Sequence, residues 1–284
     1  MRARLPLLGS LLATAWLAIA GAGPALADST TSSNWAGYAA HRPGVKFTRV
    51  FGTWTQPGAS CTAGRRTYSA MWVGLGGYRA SSNALEQVGT EVDCTASGRV
   101  ESTAWFELIP AVSKPISMTV SPGDTVTAGV TVHGHTITVA LVDVTSRRSF
   151  KRTLHAHDID VSSAEWILEA PSDCTSATAC RTLPLTNFGS ATFGLAKAET
   201  TRGHLGTIAD RAWQTTRIRL TPGARQLVSL DASGSAGAAT PSALTLKGTS
   251  FSVRFSTLSG QGNRFLSTRR AIPRAGHLVH PTLS

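Results

Sequence analysis

The stretch Ala164-Glu165-Trp166-Ile167-Leu168-Glu169-Ala170-Pro171 sets two glutamates four residues apart. On a β-strand both would share a face with Ile167, while Trp166 and Leu168 turn to the other face. Carboxylates flanking an aliphatic residue are costly to bury without partners, which favours the wall of a cleft over a core. A solvent-exposed face with paired charges is the plainer alternative. In a cleft, such a carboxylate can accept a proton from water and later return it. A glycosidase pair is a poor use of these two. Strand positions i and i+4 lie about 13 Å apart, beyond the roughly 5–9.5 Å that such pairs need, unless a distant acid such as Glu107 joins one of them.

Other chemistries find less support. No G-x-S-x-G elbow and no D-T-G or D-S-G signature occurs, and a serine triad has no positive indication. His133 and His135 form one H-x-H, and His155 with His157 another, followed by Asp158. On neighbouring strands such pairs could hold zinc. Gly134, however, puts the first pair on a hairpin tip, where histidines sit in water, so no metal and no cofactor is expected.

The N-terminus indicates where this chemistry would operate. Arg2 and Arg4 precede a largely apolar run, and Ala25-Leu26-Ala27 gives the small-x-small pattern cut by signal peptidase. Residues 1–27 therefore read as a secretory signal peptide, followed by a short polar leader at 28–33. No second apolar stretch approaches the ~20 residues of a membrane span. In an oxidising compartment Cys61, Cys94, Cys174 and Cys180 are expected to pair as disulfides. Three pairings are open, and local pairing, Cys61 with Cys94 and Cys174 with Cys180, is favoured. Losing Arg2 and Arg4 from 27 basic residues leaves 25 against 16 acidic ones, a formal +9. The basic residues are scattered except near the C-terminus, without interleaved aromatics, so a specific nucleic-acid partner is not expected. A monomer is the default.

The elements that must carry these residues have period two. Thr125-Val126-Thr127-Ala128-Gly129-Val130-Thr131-Val132 alternates polar and apolar residues, as does the run from Thr136 to Val144. His133-Gly134-His135 between them marks a tight hairpin. Further strands are expected at 47–55, 68–74, 85–92, 102–108, 165–169, 192–196 and 251–255. Many short strands with Gly, Pro and Ser turns indicate an all-β fold, a sandwich or barrel. The Ser-, Gly- and Ala-rich stretch 231–243 reads as a loop within one domain, 34–257, and 258–284 as a basic flexible tail.

Six segments in order resemble the glutamic peptidases of the eqolisin family, known from acid-secreting fungi and also found in bacteria. Ser33-Asn34-Trp35-Ala36-Gly37-Tyr38 resembles the family's S-N-W-(A/G)-G, and Trp72-Val73-Gly74-Leu75-Gly76-Gly77 its W-V-G-I-D-G. Leu85-Glu86-Gln87-Val88-Gly89 resembles L-Q-T-G with one residue inserted before the glutamine. Ala104-Trp105-Phe106-Glu107-Leu108-Ile109-Pro110 resembles A-W-Y-E-W-Y-P, and residues 164–169 resemble A-E-W-I-V-E. Asn187-Phe188-Gly189-Ser190-Ala191-Thr192-Phe193 resembles D-F-G-S-V-T-F.

The resemblance implies an antiparallel two-sheet β-sandwich (concanavalin-like or jelly-roll-like), with a substrate groove along one curved sheet. It also implies a Gln–Glu dyad that activates water against peptide bonds of proteins, in an acidic medium outside the cell. Gln87 falls on the family's catalytic glutamine. Spacing from it favours Glu169 as the catalytic glutamate, with Glu165 as its same-face neighbour or the alternative. Trp72, Trp105 and Glu107 match groove residues. Gly76 stands where the family has aspartate and Leu108 where it has tryptophan, implying a less acidic, less aromatic groove. A competing reading is a secreted carbohydrate- or cell-wall-binding sandwich without catalysis, since the architecture serves both.

Overall fold

A computed structural model of the chain describes residues 28–176, 179–224 and 237–257. The expected signal peptide, the tail 258–284 and residues 231–236 of the Ser/Gly/Ala stretch lie outside the described residues. Its strands are β1 (Asp28–Ser32), β2 (Trp35–His41), β3 (Phe47–Thr55), β4 (Ala70–Gly76), β5 (Leu85–Cys94), β6 (Val100–Ile109), β7 (Lys114–Ile116), β8 (Thr125–His133) and β9 (Thr136–Asp143). They continue with β10 (Arg148–His155), β11 (Ser163–Glu169), β12 (Ser172–Ser176), β13 (Ala179–Thr182), β14 (Ser190–Thr200), β15 (Leu205–Thr207), β16 (Gln214–Leu220), β17 (Ala238–Pro241) and β18 (Phe251–Ser256). The only helical turn among the described residues is a 3₁₀ turn, Leu246–Gly248. None of their helices is long and apolar enough to cross a membrane.

One hydrogen-bonded ribbon runs β10-β9-β8-β3-β14-β18-β17-β16-β2-β11-β4-β5-β6-β7. It doubles back on itself, so that β4 and β5 lie against β3 and β8 without pairing to them. The expected two antiparallel layers are thus two halves of one folded ribbon. The predicted His133–His135 hairpin joins β8 to β9.

The main core fills the space between the layers, and its tryptophans show how the halves are locked together. Trp166 of β11 donates its indole N–H to the Phe51 carbonyl of β3 at 2.9 Å, and Trp54 of β3 donates to Thr90 Oγ1 of β5 at 2.9 Å. A buried indole N–H needs such a partner. Gly52 of β3 leaves room for this packing, because a Cβ there would lie 3.0 Å from the Trp166 ring. As expected, Trp166 and Leu168 face this core while Ile167 faces a second, smaller cluster on the other side of the sheet.

Two boundaries differ from the sequence reading. Residues 28–33 are not a leader ahead of the domain: β1 pairs in parallel with β16, and Ser32 and Ser33 are buried. Short polar side chains disguise this strand. The 231–243 stretch likewise is not all loop, since Ala238–Pro241 forms β17 between β16 and β18. Cys61 and Cys94 are disulfide-bonded, tying the loop before β4 to the end of β5. Cys180 is also disulfide-bonded, the backbone register sets it opposite Cys174, and among the described residues no cysteine is free.

Candidate active site

Five adjacent strands, β2, β11, β4, β5 and β6, present one face away from the main core. Their register lays the residues on that face out in rows. In the first row Glu165 stands beside Gly74, Gly74 beside Gln87, and Gln87 beside Glu107. The second row holds Ile167, Trp72, Gly89 and Trp105. The third holds Trp35, Glu169, Ala70 and Glu91. Every site residue expected from the sequence lies in these rows, on one face.

The glycines make this face a trough. A Cβ on Gly89 would lie 2.2 Å from the Met71 carbonyl oxygen and 2.7 Å from Trp72 Cβ. Backbone cannot yield cheaply at that distance, so Gly89→Ala is expected to destabilise the fold by about 3 kcal/mol or more. Thermal melts against wild type would check this; an unchanged melting temperature would contradict it.

Glu169 is held by designed-looking contacts on both oxygens. Its Oε2 accepts from Trp72 Nε1 at 2.8 Å and its Oε1 from Asn34 Nδ2 at 3.0 Å. The Trp35 side chain also favours the charged form, and its ring meets that of Trp72 edge to face, with centroids 5.0 Å apart. Burial still dominates and pushes the Glu169 pKa up to about 7, with these donors pulling it back. The side chain nonetheless keeps some exposure, whereas Glu165 is fully buried and its pKa lies well above the usual range through desolvation. Of the two glutamates, Glu169 is the one that is partly open to solvent.

Gln87 donates Nε2–H to Glu107 Oε2 at 2.7 Å, while its own Oε1 is buried without a hydrogen-bond partner among the described residues. Burial, then the nearby charge of Glu169, raise the Glu107 pKa to about 8, and the Gln87 bond lowers it in part. Glu107 therefore senses Glu169 across the trough, and Gln87 is bonded to Glu107. These three side chains form one electrostatic unit. Burial raises both carboxyls, and the charge on Glu169 further opposes ionisation of Glu107.

A family model described as the peptidase A4 family matches residues 33–239. The chain is a member of the peptidase A4 family. A search of curated proteins finds no match. Among solved structures, this A4 peptidase is similar to scytalido-glutamic peptidase with a transition-state analogue inhibitor. The identity is 21%, the TM-score 0.63, and the match covers 78% of this chain and 98% of the other. It is also similar to SCP-B, a member of the eqolisin family in complex with the tripeptide Ala-Ile-His, at 20% identity and TM-score 0.56, covering 78% and 98%. At these identities the likeness speaks for the fold, and the family model for the membership.

Three residues of the A4 site, Asn34, Trp35 and Glu91, escape assignment from the sequence. Asn34 and Trp35 grip Glu169, although the S-N-W motif that contains them was visible. Glu91, in the Glu169 row, has its pKa raised by burial and donates nothing to the motif pattern. The histidine pairs take no part: His135 and His157 have ring centroids 6.5 Å apart, and His135 Nδ1 lies 3.0 Å from the Ala156 carbonyl. Among the described residues no group of three or more His, Cys, Asp or Glu is arranged to hold a metal.

Proposed function

We propose that this A4-family endopeptidase is secreted and hydrolyses peptide bonds of proteins with Gln87 and Glu169 as its catalytic pair. The observation that carries this reading is Glu169 itself: partly exposed, gripped on both oxygens, and lifted to about 7 by burial beside a trough lined by Trp105.

In the reaction, the Glu169 carboxylate takes one proton from a water as the water oxygen bonds to the peptide carbonyl carbon. The carbonyl oxygen becomes an oxyanion, which the second N–H of the Gln87 amide stabilises; the first remains with Glu107. Gln87 Oε1, otherwise unpartnered, accepts from the attacking water and fixes its direction. As the C–N bond breaks, Glu169 delivers the proton to the departing nitrogen. Trp105 provides an apolar wall, while Trp72, fully buried, holds Glu169 in place. Glu165, sealed from solvent, serves the fold.

An unperturbed glutamate, titrating near ~4.3, would keep its basic form down to about that pH. With Glu169 at about 7, the base ionises much later. The working range therefore begins near neutral pH, and the acid limb of kcat/KM, which reports the free enzyme, is expected near pH 7. A kcat/KM profile on a peptide substrate checks this directly. An acid limb below pH 5 would show that the surroundings of Glu169 do not act as described.

A further inference from the structure

Gly76, where aspartate stands in the family pattern, is bound up with a feature of this chain at one end of the trough. Gly76 and Gly77 both adopt left-handed backbone, with φ of 85° and 82°. A Cβ on Gly76 would lie 2.4 Å from the Asp160 carbonyl oxygen and 2.6 Å from Asp160 Cβ, so no side chain fits. Asp160 locks the loop that follows: its Oδ2 accepts from Ser82 Oγ at 2.5 Å and from the Gly77 amide at 3.4 Å. Burial would raise the Asp160 pKa, but hydrogen bonds, foremost from Ser82, hold it below the usual value, so the latch is an anion.

This double-glycine turn throws Tyr78 back over the trough face. Tyr78 packs against the smaller apolar cluster beside Ile109, and its ring stacks on His41 with centroids 4.4 Å apart and planes 23° from parallel. His41 stands two residues beyond Ala39 of that cluster, opposite Ser163, and its Nε2 lies 2.8 Å from Thr216 Oγ1, so the ring is fixed. Tyr78 and His41 both remain partly exposed. Arg79 and Asp28 are the charged groups that bear on His41.

We infer that the Tyr78–His41 stack is a substrate subsite closing one end of the groove, and that it selects an aromatic or other apolar side chain. Two fixed rings beside Leu85 and Ile109 offer a flat apolar surface, and aromatic pairs gain from offset or edge contact beyond area burial. Arg79 at its rim disfavours a cationic residue. The aspartate of the family pattern would place a charge where this chain has a turn. The inference rests on the peptidase reading of the same groove.

His41 lies opposite Ser163, six residues from Glu169 along β11. An extended peptide advances ~3.3 Å per residue, so the subsite is expected several residues from the scissile bond. The test uses peptides of about twelve residues, varied one position at a time, with kcat/KM measured for wild type, Tyr78→Ala and Tyr78→Phe. At one position remote from the cleaved bond, wild type is expected to prefer Phe over Gly by roughly ten-fold, the scale of one ring contact. Tyr78→Ala should erase that ratio and Tyr78→Phe should keep it. Because each ratio is internal to one variant, partial unfolding cancels. A wild type that cleaves with the same preferences as Tyr78→Ala at every position overturns the subsite alone. A wild type that cleaves no peptide overturns the peptidase reading as well.

Discussion

Glu169→Gln is expected to lower kcat/KM by roughly 10²–10⁴-fold, the usual contribution of a positioned general base and acid. The substitution keeps the shape of the side chain but removes its ability to take a proton. It also leaves only one acceptor for two donors, Trp72 Nε1 and Asn34 Nδ2, so one donor loses its bond. A modest loss of stability, about 1–3 kcal/mol, should accompany the kinetic loss. Glu165→Gln provides the contrast. Glu165 shares the strand and the face but is fully buried, so its variant should cleave within a few-fold of wild type. A large loss in Glu165→Gln with little in Glu169→Gln would exchange their roles.

The second large effect concerns stability at alkaline pH. Glu86 is fully buried, and neither of its carboxyl oxygens has a well-formed hydrogen bond, although the backbone of Asp160 is near enough to offset a little of the burial. Desolvation raises its pKa to about 8, and Glu165 is raised by the same cause. A carboxyl raised in the folded state stays protonated there while the unfolded chain ionises. Its stability contribution is complete below the ordinary glutamate pKa and is lost as pH rises through about 8. For Glu86 the linkage amounts to on the order of 5 kcal/mol across that window. The protein should therefore melt lower at pH 8 than at pH 5, and Glu86→Gln, a neutral mimic of the protonated acid, should flatten part of that slope. Glu107 and Asp93, also raised to about 8 mainly by burial, act with the same sign, so some slope remains. Thermal melts at both pH values read the effect. An identical pH slope in wild type and Glu86→Gln would contradict it.

Much of this was legible in the residue pattern, and the reasons are local. Strands β8 and β9 alternate because one face packs and one faces water, and β11 disclosed its two faces through Trp166 and Leu168 against Glu165 and Glu169. By contrast β2, Trp-Ala-Gly-Tyr-Ala-Ala-His, is buried on both faces but for its last residue, so nothing alternates. Strand β10, Arg-Ser-Phe-Lys-Arg-Thr-Leu-His, is mostly exposed and reads as polar loop. The division between the two glutamates was also beyond the sequence, since exposure depends on what covers each carboxyl. Asn34 reaches Glu169 across 135 positions, a contact no local pattern can reveal. Gly76 was visible as a departure from the family, but its steric reason, the backbone of Asp160, comes from 84 positions away.

The most direct test of the Gln87–Glu169 pair is a double-mutant comparison. Hydrolysis of denatured casein would be followed for folded wild type, Gln87→Ala, Glu169→Gln and the double variant, with pepstatin, a serine-peptidase inhibitor and a chelator each present in turn. If the two residues act as a unit, wild-type cleavage survives all three inhibitors, each single variant is crippled, and the double variant is scarcely worse than either. No cleavage by folded wild type, or undiminished cleavage by either single variant, would contradict the pair, and the first of these would turn attention to glycan binding in the same groove.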